Sequence, residues 1–371
     1  MILYFYKVMD NKLLYKIALS KIPGIGAVLA KNLVSYCGGA DAVFQANRKK
    51  LKQVPGIGEK ITSDILSSDV MLQAEKELQH IQKNDIIVLD HLHPDYPSRL
   101  KHFSSAPYII YQKGHGALNP NRTVAIVGTR KPSTKGEINC KSIVSGLQKY
   151  GVTVISGLAY GIDITAHKAC VQESVPTIGI MGNGFGKIYP SAHIKTAKQM
   201  LEQGGLITEF GYEVGPDRKN FPARNRIIAG MADAVIVVES ASKGGSMITA
   251  IFGNEYNKDV FAVPGKPQDE MSAGCNYLIK TQQAALCENA DDIAFVMGWD
   301  ADDRATQKSL FIDLTKKEQQ ILEIIKKHEK ISMDHLSYET ETAQSELSSL
   351  LLNLEFKGCI KALPGKQYIS I

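Results

Sequence analysis

From Val124 to Gly265 the chain returns six times to a short, almost continuously apolar and β-branched run: VAIVG (Val124 to Gly128), TVISG (Thr153 to Gly157), TIGIMG (Thr177 to Gly182), LITEF (Leu206 to Phe210), DAVIVVES (Asp233 to Ser240) and DVFAVPG (Asp259 to Gly265). Stretches with helical spacing separate them. Strands without polar alternation are buried on both faces, and intervening helices cover those faces. The pattern therefore predicts an α/β fold, a Rossmann-like doubly wound parallel sheet, over 81–300. Ligands of such sheets bind beyond the carboxyl ends of the strands, where every notable motif of the segment falls.

The flanks follow other periods. Residues 1–80 hold a near-repeat, LSKIPGIGAVLAKNLVSYCGG from Leu19 and LKQVPGIGEKITSDIL from Leu51, each a short helix, a PGIG hairpin and a second helix. This is similar to a tandem helix-hairpin-helix (SAM-like) module. Its glycines let backbone N–H groups approach a phosphate without reading sequence. Lys31 and Lys60 suit contact with a DNA backbone; contact with a protein, or a tight turn with no ligand, are the other readings. The acidic and polar segment from Asp300 to Gln307 reads as a linker. Beyond it, over 308–371, come an amphipathic helix from Thr315 to His328, a leucine-rich helix from Thr342 to Phe356 and a hairpin around Pro364–Gly365. This looks like a winged helix. Its second long helix offers Glu346 and Glu355 against only Lys357, and the segment balances nine basic with nine acidic residues. Protein contact or autoinhibition is favoured there over DNA readout.

A length of 371 residues implies two or three domains, and 44% hydrophobic residues suffice for a core. A net charge of +5 is too mild to declare a nucleic-acid protein, so local placement must do so. The opening MILYFYKVMD is too short and lacks a cleavage site for a signal peptide, and no later run reaches membrane length. The expectation is a soluble cytoplasmic protein with no membrane partner. Six scattered cysteines without a C-x-x-C pair fit a reducing compartment and no zinc site, and His91-x-His93 lacks a third ligand. No metal and no cofactor are expected.

The densest chemistry lies in FPARNRIIAG, Phe221 to Gly230, where Arg224, Asn225 and Arg226 stand beside an aromatic ring at a helix start. Guanidinium forks bind phosphate, and a Phe face stacks on a base. The structural alternative is that Arg224 and Arg226 pair with carboxylates such as Glu209 while Phe221 fills core.

The other loops at the strand ends point the same way. GTRKPSTKG departs from G-x-G-x-x-G, so the dinucleotide fingerprint is missing, yet Gly128 allows a phosphate near and Arg130 can clamp it. SGLAYGID offers Ser156 and the N–H of Gly157, with Asp163 and His167 available to hold the loop. GNGFGK ends in Lys187. KGGSMITA presents N–H groups at Gly245 and the hydroxyl of Ser246 as a further anion cup. None of these loops pairs a nucleophile with a base. Several phosphate cups without a chemical engine describe a track for a polyanion.

VAIVGTR, SGLAYGIDITAH, NFPARNRIIAG, KGGSMITA and DVFAVPG, with HPDYPSRL upstream, occur in an order that resembles the DNA-processing protein A (Smf) family over Asp85 to Ile293. The flanking modules match the three-part organisation of some members. The resemblance implies a non-catalytic protein that binds single-stranded DNA without sequence preference. It implies loading of a RecA-type recombinase onto incoming strands in natural transformation and recombination, displacement of single-strand-binding protein, and a homodimer through the Rossmann domain. On matching positions, Arg130 would clamp phosphate, Arg218 and Lys219 would precede the strand-stacking Phe221, Asn225 and Arg226 would line the same pocket, and Lys243 would contact DNA. Two departures stand out: Gln283 holds a position that is commonly glycine, and KGGS replaces the commoner Ser-Gly-Ser.

A reading from another class is a nucleotide or ribosyl-phosphate hydrolase, since the same Rossmann variant resembles nucleoside-monophosphate phosphoribohydrolases. Those use a glutamate in P-G-G-x-G-T-x-x-E, and KGGSMITA has none at the corresponding place. A third, an adaptor working through its terminal modules, leaves the arginines around Phe221 without a role.

Overall fold

Val124 and Ile126 turn into one hydrophobic core, Ala125 and Val127 into another, because successive strand residues face opposite sides of a sheet that is covered on both. The computed structural model describes residues 2–300, 315–328, 330–340, 342–357, 359–363 and 365–370. The chain divides into two units, Met1–Ala301 and Asp302–Ile371.

The first unit is built on nine strands: β1 (Ile87–Asp90), β2 (Ile109–Lys113), β3 (Thr123–Val127), β4 (Thr153–Ser156), β5 (Thr177–Ile180), β6 (Gly205–Thr208), β7 (Ala234–Val237), β8 (Asp259–Ala262) and β9 (Ala285–Leu286). Their spatial order is β1-β2-β6-β5-β4-β3-β7-β8-β9. From β6 to β9 neighbouring strands are parallel, and β1 and β2 add an antiparallel edge. The six apolar runs are β3 to β8. The remaining strands carry no such signature, since β1 and β2 bury polar Asp90 and Gln112, and both residues of β9 are exposed. The chain winds outward from β3 to β6 and then returns to place β7 beside β3. That reversal is the switch point of the sheet.

The first eighty residues share a core with the antiparallel edge: Ile17, Leu19 and Leu33 pack with Tyr108, Ile109 and Tyr111 of the β2 region. Lys16 pairs with Asp90 at the end of β1. The helix Ser68–Lys83 runs through the expected domain boundary at residue 80, and its buried Glu77 accepts from Lys21 at 2.5 Å and from the Tyr212 N–H at 2.6 Å. Both PGIG hairpins form, with Gly24 and Gly56 in the left-handed region at φ 81° and 85°. The opening residues belong to the helix Ile2–Lys21, and among the described residues no helix is long and apolar enough to cross a membrane. Near the expected departure at Gln283 the left-handed residue is its neighbour Gln282, at φ 57°.

The second unit contains the helices Lys316–Lys327, Met333–Thr340 and Gln344–Phe356 with strands β10 (Ile331–Ser332), β11 (Ile360–Leu363) and β12 (Gln367–Ser370) in the order β10-β12-β11, a winged-helix arrangement. A capping box between Thr315 and Glu318 starts its first helix. Ile321, Ile325, Leu336, Leu347 and Leu354 fill its centre. Apart from Asp300, the expected linker lies outside the described residues.

Candidate nucleic-acid interface

The helix Asn220–Met231 packs on β3, β4 and β5, starting at the carboxyl ends of β4 and β5 and ending beside Thr123 at the amino end of β3. Asp217 accepts from Lys219 N–H at 2.9 Å just ahead of it, and Pro222 sits in its first turn, where a missing N–H removes no helical bond. Ile227, Ile228 and Ala229 bury its distal part, leaving Phe221 and Pro222 at the sheet edge.

The two arginines of the motif turn inward. Arg224 is 3% exposed and donates to the carbonyls of Gly157 and Ile180, so one guanidinium ties the ends of β4 and β5 together. Gly157 has to be glycine, because a Cβ there would lie 2.6 Å from Cζ of Arg224. Burial lowers the Arg224 guanidinium to about 10, with Asp163 opposing. Burial raises Asp163 in turn, against the pull of Arg224. Arg226 makes a two-pronged pair with Glu209 at 2.7 and 2.6 Å and donates through Nε to Ser105 O at 3.0 Å. The pairing with Glu209 that the residues left open is therefore the arrangement adopted, and both prongs that would seat a phosphate are occupied. Phe221 does not fill core. It is half-buried, lies over Gly182, where a Cβ would come within 2.7 Å of its ring, and carries the Arg130 guanidinium 6.0 Å from its ring centre.

Most of the expected anion cups are filled by the protein itself. At the first, the carboxylate of Glu239, 5% exposed, accepts from Ser133 N–H at 3.0 Å and Ser133 Oγ at 3.1 Å, taking the N-terminus of the helix Thr134–Leu147. Gly128 there serves packing, since a Cβ would run into Ile162 at 2.8 Å. At the second, Ser156 is fully buried and donates to Ile126 O at 2.6 Å, while Gly157 N–H donates to Asp163 at 3.1 Å. At the third, the N–H groups of Gly184 and Gly186 both go at 2.8 Å to carbonyls, of Val214 and Tyr212 respectively. Lys187 remains exposed beside them.

The cup after β7 stays open. The helix Gly245–Glu255 begins at Gly244 with no side-chain cap, and nothing stands within 4 Å of where a Gly245 Cβ would be. The Ser246 hydroxyl donates to Ser240 Oγ at 2.8 Å, and Asn225 Nδ2 donates to Gly245 O at 3.3 Å. These groups line a cleft of about 350 Å³ at the switch point, shared with Arg130 and Phe221. Across Phe221 lies a second cleft of about 510 Å³, lined by Tyr160, Tyr189 and Arg218 as well as Arg130 and Phe221. Arg130, Lys187, Arg218, Lys219 and Lys243 are exposed. The sequence reading did not single out Tyr160 or Tyr189. Their signal was an aromatic residue in each of two strand-end loops, AYG and IYP.

The hairpin lysines part company. Lys31 leans on the core, donating to Ser104 O at 3.4 Å and Phe103 O at 3.5 Å, and burial followed by Arg226 lowers its pKa. Lys60 is exposed, but Glu59 beside it puts a carboxylate in the first turn of its helix, paired with Arg48 at 2.8 Å and with Lys52. The carboxylate there is already matched by two cations of the same module.

Residues 87–298 match the family described as DNA recombination-mediator protein A, residues 306–366 the DprA winged helix domain, and residues 16–68 the SAM-like helix-hairpin-helix tandem. The chain is similar to Protein Smf of Synechocystis sp., 30% identical over 388 residues that cover 95% of this chain and 98% of that one. It is also similar to DNA processing protein DprA of Bacillus subtilis, 37% identical over 199 residues, 53% of this chain and 67% of that one. Among solved structures, DNA processing protein A of Streptococcus pneumoniae superposes with a TM-score of 0.63 at 29% identity, covering 77% of this chain and 98% of that one. DNA processing protein A of Helicobacter pylori, described by its single-stranded DNA binding mode, superposes with a TM-score of 0.53 at 26% identity, covering 58% of this chain and 97% of that one.

Proposed function

Because this chain belongs to the DNA recombination-mediator protein A family, we propose that it binds single-stranded DNA without sequence preference and hands the strand to a RecA-type recombinase, displacing single-strand-binding protein. The observation that carries the reading is the wall formed by Phe221 and Arg130, with the ring 6.0 Å from the guanidinium, between a polar cleft and an aromatic one. The polar cleft has open N–H groups at a helix start, which suit one phosphate; the aromatic face suits a base. Stacking and phosphate contact accept any base, so sequence independence follows from the types of group present. The relative from Helicobacter pylori, described by its single-stranded DNA binding mode, supports the same reading.

The site acts by binding alone. The partner of the Ser246 hydroxyl is another hydroxyl, that of Ser240, which cannot act as the base a nucleophile needs. The contacts assigned to DNA are Arg130, Lys187, Arg218, Lys219, Phe221, Asn225, Lys243 and Gly245, with Ser156, Gly157, Arg224 and Arg226 as the frame that holds them. The working form is a homodimer through the Rossmann unit, located in the cytoplasm.

Binding is tested by fluorescence anisotropy with oligo-dT and a duplex of equal length at low salt. Preference for the single strand is expected, and equal or tighter duplex binding contradicts the reading. Hand-over is tested by recombinase filament assembly on strands coated with single-strand-binding protein, with and without this protein. Unchanged assembly rejects mediation while leaving strand binding intact. Sedimentation of the full chain as a monomer at micromolar concentration rejects the dimer.

A further inference from the structure

The second cleft has its own aromatic lining, which the contacts so far assigned do not use. Tyr160 and Tyr189 are 50% and 41% exposed, an unusual condition for two large rings that face the same cavity. Neither hangs on a loose loop. The chain before Tyr160 is fixed at Leu158, a non-glycine residue in the left-handed region at φ 57° and 1% exposed. Its carbonyl lies 2.8 Å from Nδ1 of buried His193, whose ring meets Tyr160 edge-on with centroids 4.9 Å apart. After Tyr160, Ile162 N–H donates to Thr129 O at 3.1 Å, bringing the loop against the backbone that carries Arg130. On the opposite side Tyr189 stands 5.7 Å from Phe221, ring planes inclined at 36°.

Resting on the single-strand reading above, we propose that this cleft is a second nucleobase subsite, in which Tyr160 and Tyr189 stack on the base next to the one held by Phe221. Three observations favour a base over a phosphate here. The rings present π faces already held in place, so little side-chain entropy is lost on stacking. The N–H groups of the neighbouring glycine loop are consumed by Val214 and Tyr212 carbonyls, leaving no anion cup. The cations of the cleft, Arg130 and Arg218, belong to the chain segments that flank it, where the backbone on either side of a stacked base would run. A volume of about 510 Å³ accommodates a base with its sugar. The base on Phe221 and the base between the tyrosines then belong to one dinucleotide step.

The test uses the full-length chain, oligo-dT, and an abasic strand of the same length. Tyr160→Leu and Tyr189→Leu are each expected to weaken oligo-dT binding by roughly fivefold or more, leaving abasic-strand affinity and the salt dependence unchanged, while the Phe substitutions stay near wild type. A double Leu variant that binds oligo-dT within about twofold of wild type, or that loses abasic-strand affinity to the same extent, overturns the subsite. In that event a loss for Phe221→Ala leaves the single-strand reading standing. Failure of the wild type to bind oligo-dT removes both. Should the Leu variants not fold, photocrosslinking of wild type to a 5-bromodeoxyuridine strand decides. Adducts on Tyr160 or Tyr189 support the subsite, and adducts on Phe221 alone overturn it.

Discussion

Gly157 and Arg224 fit one another: the guanidinium donates to the Gly157 carbonyl and occupies the space a side chain at Gly157 would need. Gly157→Ala therefore pushes a buried cation off its acceptor. The expected loss is about 1 to 3 kcal/mol of stability, read as a lower urea midpoint, and an unchanged midpoint contradicts the packing described. Arg224→Lys is not expected to substitute, because an ammonium lacks the planar fork that spans two carbonyls.

Arg226 and Arg130 separate in their response to salt. Arg226 is held by Glu209, with side chains 16% and 17% exposed, so Arg226→Ala should lower stability by roughly 3 kcal/mol while the slope of log affinity against log salt stays at the wild-type value. Arg130→Ala should instead flatten that slope by roughly 0.7 with the melting temperature unchanged. A flattened slope for Arg226→Ala means that Glu209 releases it to the strand.

Gly245 tests the open cup. No atom stands where its side chain would be, so Gly245→Ala should be neutral for folding. Gly245→Glu sets a carboxylate at the uncapped helix start, as Glu239 and Asp163 do in the other loops, and should weaken oligo-dT binding at least tenfold with unfolding unaltered. Equal affinity for both variants places the phosphate elsewhere.

His167 makes stability depend on pH. Thr177 Oγ1 donates to Val154 O at 2.9 Å, so the hydrogen shared at 2.8 Å with His167 Nδ1 belongs to the imidazole, and Nε2 is buried with no hydrogen-bond partner from the protein. Burial lowers its pKa to about 3, helped by His193 and Arg224. Between that value and the unfolded value near 6.5, the unfolded chain takes a proton that the folded chain refuses, so this contribution to stability falls as pH falls, by about 1.4 kcal/mol per unit. Asp163, raised by burial, acts in the opposite sense. Subtracting the profile of His167→Asn from that of the wild type isolates the histidine. Parallel profiles between pH about 4 and 6 refute the assignment.

The winged helix should add little to strand affinity. Glu318, 2% exposed, holds Lys357 at 2.9 Å, and Lys317 holds Glu346 at 2.5 Å, so charges on and beside its third helix are already matched. Removing the residues after Gln307 is expected to leave oligo-dT affinity within about threefold, well short of the loss that several phosphate contacts would bring. A larger loss in a truncated chain that stays folded and dimeric contradicts this.

The parallel strands were legible because burial on both faces writes itself into unbroken apolar runs such as VAIVG. The antiparallel edge was not, because Asp90 and Gln112 look like surface residues until Lys16 and the Gly116 carbonyl, far away or around a turn, are brought to them. The site divides in the same way. That Phe221 and Pro222 open a helix could be read from FPARNR, whereas the inward turn of its two arginines and the arrival of Arg130 over the Phe221 ring depend on groups from other loops. Whether a glycine loop is an open cup depends on a group from another strand, such as Glu239 filling the turn that begins at Gly128. Residue types alone describe the seat and not its occupant.

Glu77 turns the hairpin module from a tethered bead into a bracket. Its carboxylate grips Tyr212 N–H, and the carbonyl of the same Tyr212 receives Gly186 N–H from the loop that leads to Tyr189. Helix, carboxylate and loop thus form one short linkage from the front of the chain to the aromatic cleft. The first eighty residues and one wall of that cleft are thereby joined through a single buried carboxylate.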